Sequence, residues 1–269
     1  MLPEKYFLKL SLVMFLFPAI LISGPAREPD GYYSGVRGLT GTSLKQKLNR
    51  IISEQVSLPY SGSSTDTWDV LKETEKDPEK KNHILLFYTG WSVAAAQEFN
   101  NGKGWNREHI WARSHGQFDT GAGVGTDLHN LRPSDISVNA ARNNYDFDDG
   151  GTLYTDKDGP TLCRSDADSW EPPGYLKGDV ARTLFYMAVR YEGRNGEPDL
   201  ELVDAVNTFG MNKNGKGYFG KLSTLLRWHR SDPVDNYERR RNDIVYLYQK
   251  NRNPFIDHPE FVQLIWGEN

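Results

Sequence analysis

Apolar positions recur at helical or strand spacing through most of the chain beyond residue 40, and the spacing divides it into short elements. Leu44, Leu48, Ile51 and Ile52 fall on one face of a helix that Ser43-Leu44-Lys45-Gln46 opens as a capping box. A second short helix is predicted over 68–74, ending before the Asp77-Pro78 break. The apolar run 83–88, between a charged stretch and Thr89-Gly90, predicts a strand, and 105–111 predicts the next. Asn130-Leu131 belongs to a short strand or loop, and Ser134 is the expected N-cap of a helix to about Asn143. Residues 146–175 are rich in Asp, Gly and Pro and read as a long loop. Asp179 is the expected N-cap of an amphipathic helix through Val180, Leu184, Met187, Ala188 and Tyr191. Two further helices are predicted over 221–228 and 234–250, the last stopped by Pro254. No internal repeat or long linker divides the chain.

The 269 residues fit one α+β domain with a sizeable core. Ahead of the periodic region, Lys5 and Lys9 flank an apolar run over 10–22, interrupted only by Ser11 and Pro18. Ser23, Gly24 and Ala26 follow, so 1–26 reads as a secretory signal and 27–269 as the mature domain. The run is shorter than the ~20 residues of a spanning helix. The expected location is therefore secreted or periplasmic, with no membrane contact after cleavage and a monomeric product. Cys163 is the only cysteine, which excludes an internal disulfide and makes it a small buried apolar residue. The formal charge of −4 gives no global case for nucleic-acid binding, so any such contact is local.

The chemistry concentrates in Asn106-Arg107-Glu108-His109, then Asp127-Leu128-His129-Asn130-Leu131-Arg132-Pro133-Ser134-Asp135, then Asn139. A carboxylate beside a histidine, with an amide further on, can hold one hard cation and one general base in a single pocket. Oxygen ligands suit Mg²⁺, which keeps several waters and binds phosphate directly. A neutral imidazole takes a proton from water near pH 7. Neighbours on a regular strand point to opposite faces, so the strand must end or bulge for Glu108 and His109 to share a pocket. Asp146-Phe147-Asp148-Asp149-Gly150 and Asp156-Lys157-Asp158-Gly159 lack the spacing and terminal Glu of a calcium loop and read as turns. His109, His115, His129 and Cys163 lack the paired spacing of a zinc site.

The central strand–loop–strand–helix pattern resembles the bacterial endonuclease I family, of the ββα-metal (His-Me finger) nuclease superfamily. Gly178-Asp179-Val180-Ala181-Arg182, Trp228-His229-Arg230-Ser231-Asp232-Pro233-Val234 and Asn251-Arg252-Asn253-Pro254-Phe255-Ile256-Asp257-His258-Pro259-Glu260 resemble further motifs of that family, so the likeness covers nearly all of 27–269. It implies a mixed, helix-rich α+β domain around a ββα-metal core. The implied activity is Mg²⁺-dependent, largely nonspecific endonucleolytic hydrolysis of DNA, with RNA as the alternative and Mn²⁺ or Ca²⁺ as substitute ions. His109 is the implied general base, with Glu108 and Asn139 the metal ligands. Asn130 is expected to orient His109 or the loop carrying it, and His129 is either a support for the site or core.

Some relatives carry a phosphate-stabilising arginine in a longer loop, but 116–126 has none here. Arg132 or Arg142 is the candidate for that role. Those relatives also carry disulfides that this chain cannot make. The expected nucleic-acid contacts are Arg107, Arg113, Arg239 and Arg240. Between Arg227 and Arg252 stand seven Lys/Arg against four Asp/Glu. Arg239-Arg240-Arg241 fan around their helix, so not all can face one cleft. A small-molecule phosphodiesterase would need a closed pocket, and a nucleic-acid-binding or adhesion protein a decayed site.

Overall fold

A computed structural model of the chain describes residues 28–212 and 215–267. The apolar N-terminal run and the Ala26 cleavage point lie outside the described residues. Helix α1 (Gly41–Ile52) buries Leu44, Leu48 and Ile52, the face that the periodicity picks out. It starts two residues before the expected cap. Thr40 is its N-cap and makes no side-chain bond, so Ser43 lies in the first turn. Helix α2 (Thr67–Thr74) is closed by Asp66, which accepts from the backbone of Trp68 and Asp69. Strands β1 (His83–Leu85) and β2 (Ser92–Ala94) pair antiparallel. The predicted strand thus stops at Leu85, ahead of the turn at Thr89-Gly90.

The central segment forms β3 (Trp105–His109), the four-residue α3 (Arg113–Gly116), β4 (Leu131–Asp135) and α4 (Ile136–Arg142). β3 and β4 are antiparallel, with His109 opposite Leu131 and Asn106 opposite Ser134. The cap of α4 is Asp135, one residue beyond the expected Ser134. Its Oδ1 accepts from the backbone of Ser137 at 2.8 Å and Val138 at 3.1 Å.

Residues 146–175 are not a long loop. They hold β5 (Asp146–Phe147), β6 (Thr152–Asp156), β7 (Gly159–Ser165) and β8 (Ser169–Glu171), in one sheet of order β5-β8-β7-β6. Composition hides this sheet because its outward face is apolar in places. Leu153 and Leu162 are exposed, while Thr161 and Cys163 point inward, so the usual contrast of polar-out and apolar-in is inverted. Asp156-Lys157-Asp158-Gly159 is the tight turn between β6 and β7. The carboxylates of Asp135, Asp156 and Asp158 come within 4.8 Å of one another. Backbone amides, Ser137, Tyr154 and Lys157 already engage them. Asp146 accepts from Thr208 and Gly220, which makes it an internal strut.

Helix α5 (Lys177–Arg190) is the central column, with Asp179 in its first turn and Leu176 as its N-cap. It is buried on nearly every side. Its polar residues meet partners there, Arg182 reaching Glu238 at 2.6 Å and Arg190 reaching Glu197 at 2.8 Å. Burying a charge requires such pairing. Strands β9 (Asp199–Leu202) and β10 (Lys216–Phe219) run parallel beside it, and α6 (Leu222–Ser231), α7 (Asn236–Gln249), α8 (Pro254–Asp257) and α9 (Glu260–Trp266) complete the chain. The mixed α+β class holds. Among the described residues no helix is long and apolar enough to cross a membrane. Cys163 is fully buried, and burial pushes its thiol up to about 12.

Candidate active site

Strand β3 ends at His109, so the alternation of faces ends with it, and Glu108 and His109 open onto the same cavity of about 740 Å³. Asn139, Arg107, Arg113 and Arg142 line it as well. The His109 ring is held by Nε2, 2.9 Å from the carbonyl oxygen of Gly125. A carbonyl only accepts, so Nε2 carries the proton and Nδ1 is left with its lone pair. Burial, with Arg113, Arg107 and Arg142 nearby, pushes this imidazole down to about 4, and it is neutral at pH 7.

Glu108 is buried, and burial raises its carboxyl above the usual range against the pull of Arg142, Tyr88 and the His109 amide. Its Oε1 accepts from the Tyr88 hydroxyl at 2.9 Å and lies 3.2 Å from Arg142 Nε. That nitrogen is near but poorly aligned, and makes no hydrogen bond. Arg142 donates instead through Nη2 to the Ile110 carbonyl at 2.7 Å and through Nη1 to that of Asn143 at 2.9 Å. Its guanidinium therefore ties α4 to the chain just beyond His109. Asn139 donates from Nδ2 to Asn106 Oδ1 at 2.9 Å.

Asn130 acts on the loop. Its Oδ1 accepts from the Trp111 amide at 2.7 Å and its Nδ2 donates to the Trp111 carbonyl at 3.2 Å. This pins the backbone leaving β3, while Gly125 orients the imidazole. His129 packs against Tyr186, inside the fold, with Nε2 3.3 Å from the Asn251 carbonyl. Both ring nitrogens of His115 lie 2.7 Å from carbonyl oxygens, of Tyr218 and Asn144, so neither is open to a metal.

The other arginines divide. Arg132 does not line the cavity. It is fully buried, donating to Glu75 Oε1 at 3.2 Å beside Arg241, which reaches the same oxygen at 2.7 Å. A guanidinium locked in that cluster cannot reach a phosphate in the cavity, and Arg142, the other candidate, lines the cavity but spends both Nη groups on the Ile110 and Asn143 carbonyls. Arg239 and Arg240 also lie outside the cavity. Arg239 donates to the Ile256 carbonyl, and Arg240 to those of Thr74 and Glu73, so both tie α7 to neighbouring segments. Arg107 sits between two rings, 3.3 Å from the Tyr60 centroid and 3.9 Å from that of Trp68. Its edge donates to Thr67 and Ser61 as well as to the Tyr60 carbonyl. Arg113 is exposed, and among the described residues its side chain has no hydrogen bond or ion pair.

Sequence reasoning misses Gly125, Tyr88 and Tyr60, and names Asn106 without giving it the bond to Asn139. A main-chain carbonyl leaves no mark in a sequence, and Tyr88 and Tyr60 belong to no motif.

The pattern of the family described as Endonuclease I matches residues 40–260. An extracellular ribonuclease of Bacillus subtilis (strain 168) is 51% identical over 260 residues, 95% of this chain and 84% of that one. An extracellular ribonuclease of Bacillus amyloliquefaciens is 51% identical over 93% of this chain and 84% of its own. An extracellular deoxyribonuclease of Aeromonas hydrophila is 26% identical over 81% and 89%. With the pattern matched across most of its length, the chain belongs to the Endonuclease I family.

Proposed function

We propose that the protein is a secreted or periplasmic, Mg²⁺-dependent, largely nonspecific endonuclease that acts as a monomer on phosphodiester bonds of RNA and DNA. The nuclease class follows from the family. RNA enters through the names of the two Bacillus relatives and DNA through that of the Aeromonas one. One observation carries the mechanism: among the described residues His109 is fixed through Nε2 with no partner on Nδ1, in one cavity with Glu108, Asn139 and the unpaired guanidinium of Arg113.

In this mechanism Nδ1 takes a proton from water, the water oxygen attacks phosphorus in line, and the opposite P–O bond breaks. Arg113 contacts the phosphate, since among the described residues its donors have no other use, and it supports the charge that develops on the phosphate oxygens. Arg142 serves as a positioning residue for Glu108 and the end of β3. Arg107 adds a fixed positive charge at the cavity wall.

The residues fit a hard cation. Among the described residues Glu108 Oε2 accepts from no side chain, and Asn139, whose Nδ2 is used on Asn106, has no donor on its Oδ1. Two oxygens from the protein, with water and phosphate oxygens, make a Mg²⁺ site. Bound there, Mg²⁺ would neutralise charge on the phosphate.

The test is incubation of the purified protein with plasmid DNA and with RNA, with and without EDTA, alongside His109→Ala. Both polymers are expected to be cut, EDTA to stop it, and the variant to lose about 10²–10⁴ in turnover. Cleavage that survives EDTA would remove the metal, and wild-type turnover by the variant would remove His109.

A further inference from the structure

The cavity has a second wall that the reaction does not use. Tyr60, Trp68 and Phe99 line the same cavity as the reacting groups. Phe99 is 55% exposed, whereas Trp68 in the same lining is 9% exposed. Its backbone is held at φ +34°, and Asn100, Asn101 and Gly102 continue at φ +40°, +53° and +81°. A bulky side chain at positive φ is costly, and such outliers persist only where surrounding bonds impose them. Here they are the bonds between Phe99 and Trp105, at 2.8 Å, and from Gly102 and Gly104 to the Phe99 carbonyl, at 2.8 and 3.2 Å. The chain thus maintains an apolar ring in water at the rim of a polar cavity.

Tyr60 is fixed as well. The Arg107 guanidinium covers it on one side, stacked between Tyr60 and Trp68. The Tyr60 ring lies nearly parallel to the His109 imidazole, at 16°, with centroids 6.0 Å apart. An aromatic surface therefore begins one ring's breadth from the general base, and Phe99 lines the same cavity.

We infer that the wall formed by Tyr60 and Phe99 is a subsite for one unstacked nucleobase adjoining the scissile phosphate. The inference rests on the endonuclease reading, which puts the phosphate beside His109. A base attached to the next sugar then lies within reach of the wall. Every base presents a π-face, so aromatic stacking takes any of them and preserves the lack of sequence preference. In a duplex both faces of a base are already covered, so single strands and unpaired loops are the favoured substrates.

The experiment uses His109→Ala, with Mg²⁺, to separate binding from cleavage. Fluorescence anisotropy measures affinity for oligo(dT) and for a fully abasic deoxyribose-phosphate oligomer of equal length. Adding Phe99→Ala is expected to weaken oligo(dT) binding by about 5- to 150-fold, the weight of one stacked base, and to leave the abasic oligomer unchanged. Phe99→Trp is expected to restore oligo(dT) binding and Phe99→Leu is not, because Leu keeps the bulk without the π-face. Phe99 is exposed, so these variants fold. Unchanged oligo(dT) binding in Phe99→Ala, or an equal loss for the abasic oligomer, overturns the subsite. The endonuclease reading would survive either result, because the wild-type cleavage assay with EDTA tests it separately.

Discussion

Gly125→Ala is the sharpest probe of how His109 is held. A Cβ on Gly125 would stand 1.9 Å from the Asp119 carbonyl oxygen and 3.0 Å from Thr120 Cα, where ordinary contact begins at 3.4 Å. Both neighbours are backbone, so no side chain can swing aside. The loop must open by 1.5 Å at that contact. If half of this falls on Gly125, along the bond, the 2.9 Å link to His109 reaches about 3.6 Å and ceases to be a hydrogen bond. The imidazole then loses the acceptor that selects its tautomer. Misplacement on this scale costs on the order of 10²-fold in rate, while overpacking costs about 1–3 kcal/mol of stability. The assay is kcat on RNA, with ¹⁵N chemical shifts of His109 at pH 7 to read the tautomer and thermal unfolding to confirm the fold. Wild-type kcat with the Nε2–H tautomer intact would refute the idea that this carbonyl sets the base.

Four further outcomes are expected. Glu108→Gln and Asn139→Ala should each raise the Mg²⁺ concentration needed for half-maximal rate as well as lower the rate, and unchanged Mg²⁺ titrations would remove them as ligands. His129 is fully buried and held down to about 4 by burial, against an ordinary 6.5, so only the unfolded chain gains its proton as pH drops below 6.5. Its contribution to stability is full above pH 6.5 and is lost as pH falls towards 4, about 3 kcal/mol in all. Urea unfolding at pH 7.5 and 4.5 should show a smaller difference for His129→Gln than for wild type, and an equal difference refutes this. Glu75→Gln should destabilise by about 3–5 kcal/mol, because Arg132 and Arg241 would share a buried site without their carboxylate, and a loss under 1 kcal/mol would count against it. Binding by His109→Ala should weaken steeply with salt, by about 0.9 in log–log slope per phosphate neutralised on duplex DNA, and Arg113→Ala should reduce that slope by about one; a slope unchanged in Arg113→Ala removes it from the phosphate.

The longer helices were legible where one stripe is buried, as Leu44, Leu48 and Ile52 are in α1. Their caps were less so: Ser43, Ser134 and Asp179 are good cap residues by type, yet local geometry gives the caps to Thr40, Asp135 and Leu176. The sheet of 146–175 was invisible because exposed leucines and an inward threonine break the two-residue contrast. At the site, Glu108, His109 and Asn139 stood out as residue types at a spacing, and all three line the cavity. The arginines did not sort themselves. Arg132 and Arg113 are alike in sequence, and only their neighbours, a buried Glu75 for one and open cavity for the other, separate a strut from a free donor.

The two walls of the cavity come from different stretches of chain. Glu108, His109, Arg113, Gly125, Asn139 and Arg142 all fall within one uninterrupted segment, whereas Tyr60, Trp68 and Phe99 precede it. The residues that hold the general base and those of the aromatic wall therefore lie on separate stretches of chain. On the inferred subsite, substitutions around 98–102 retune what is gripped and leave the reacting groups as they are, whereas Tyr60, stacked on His109, couples the two walls.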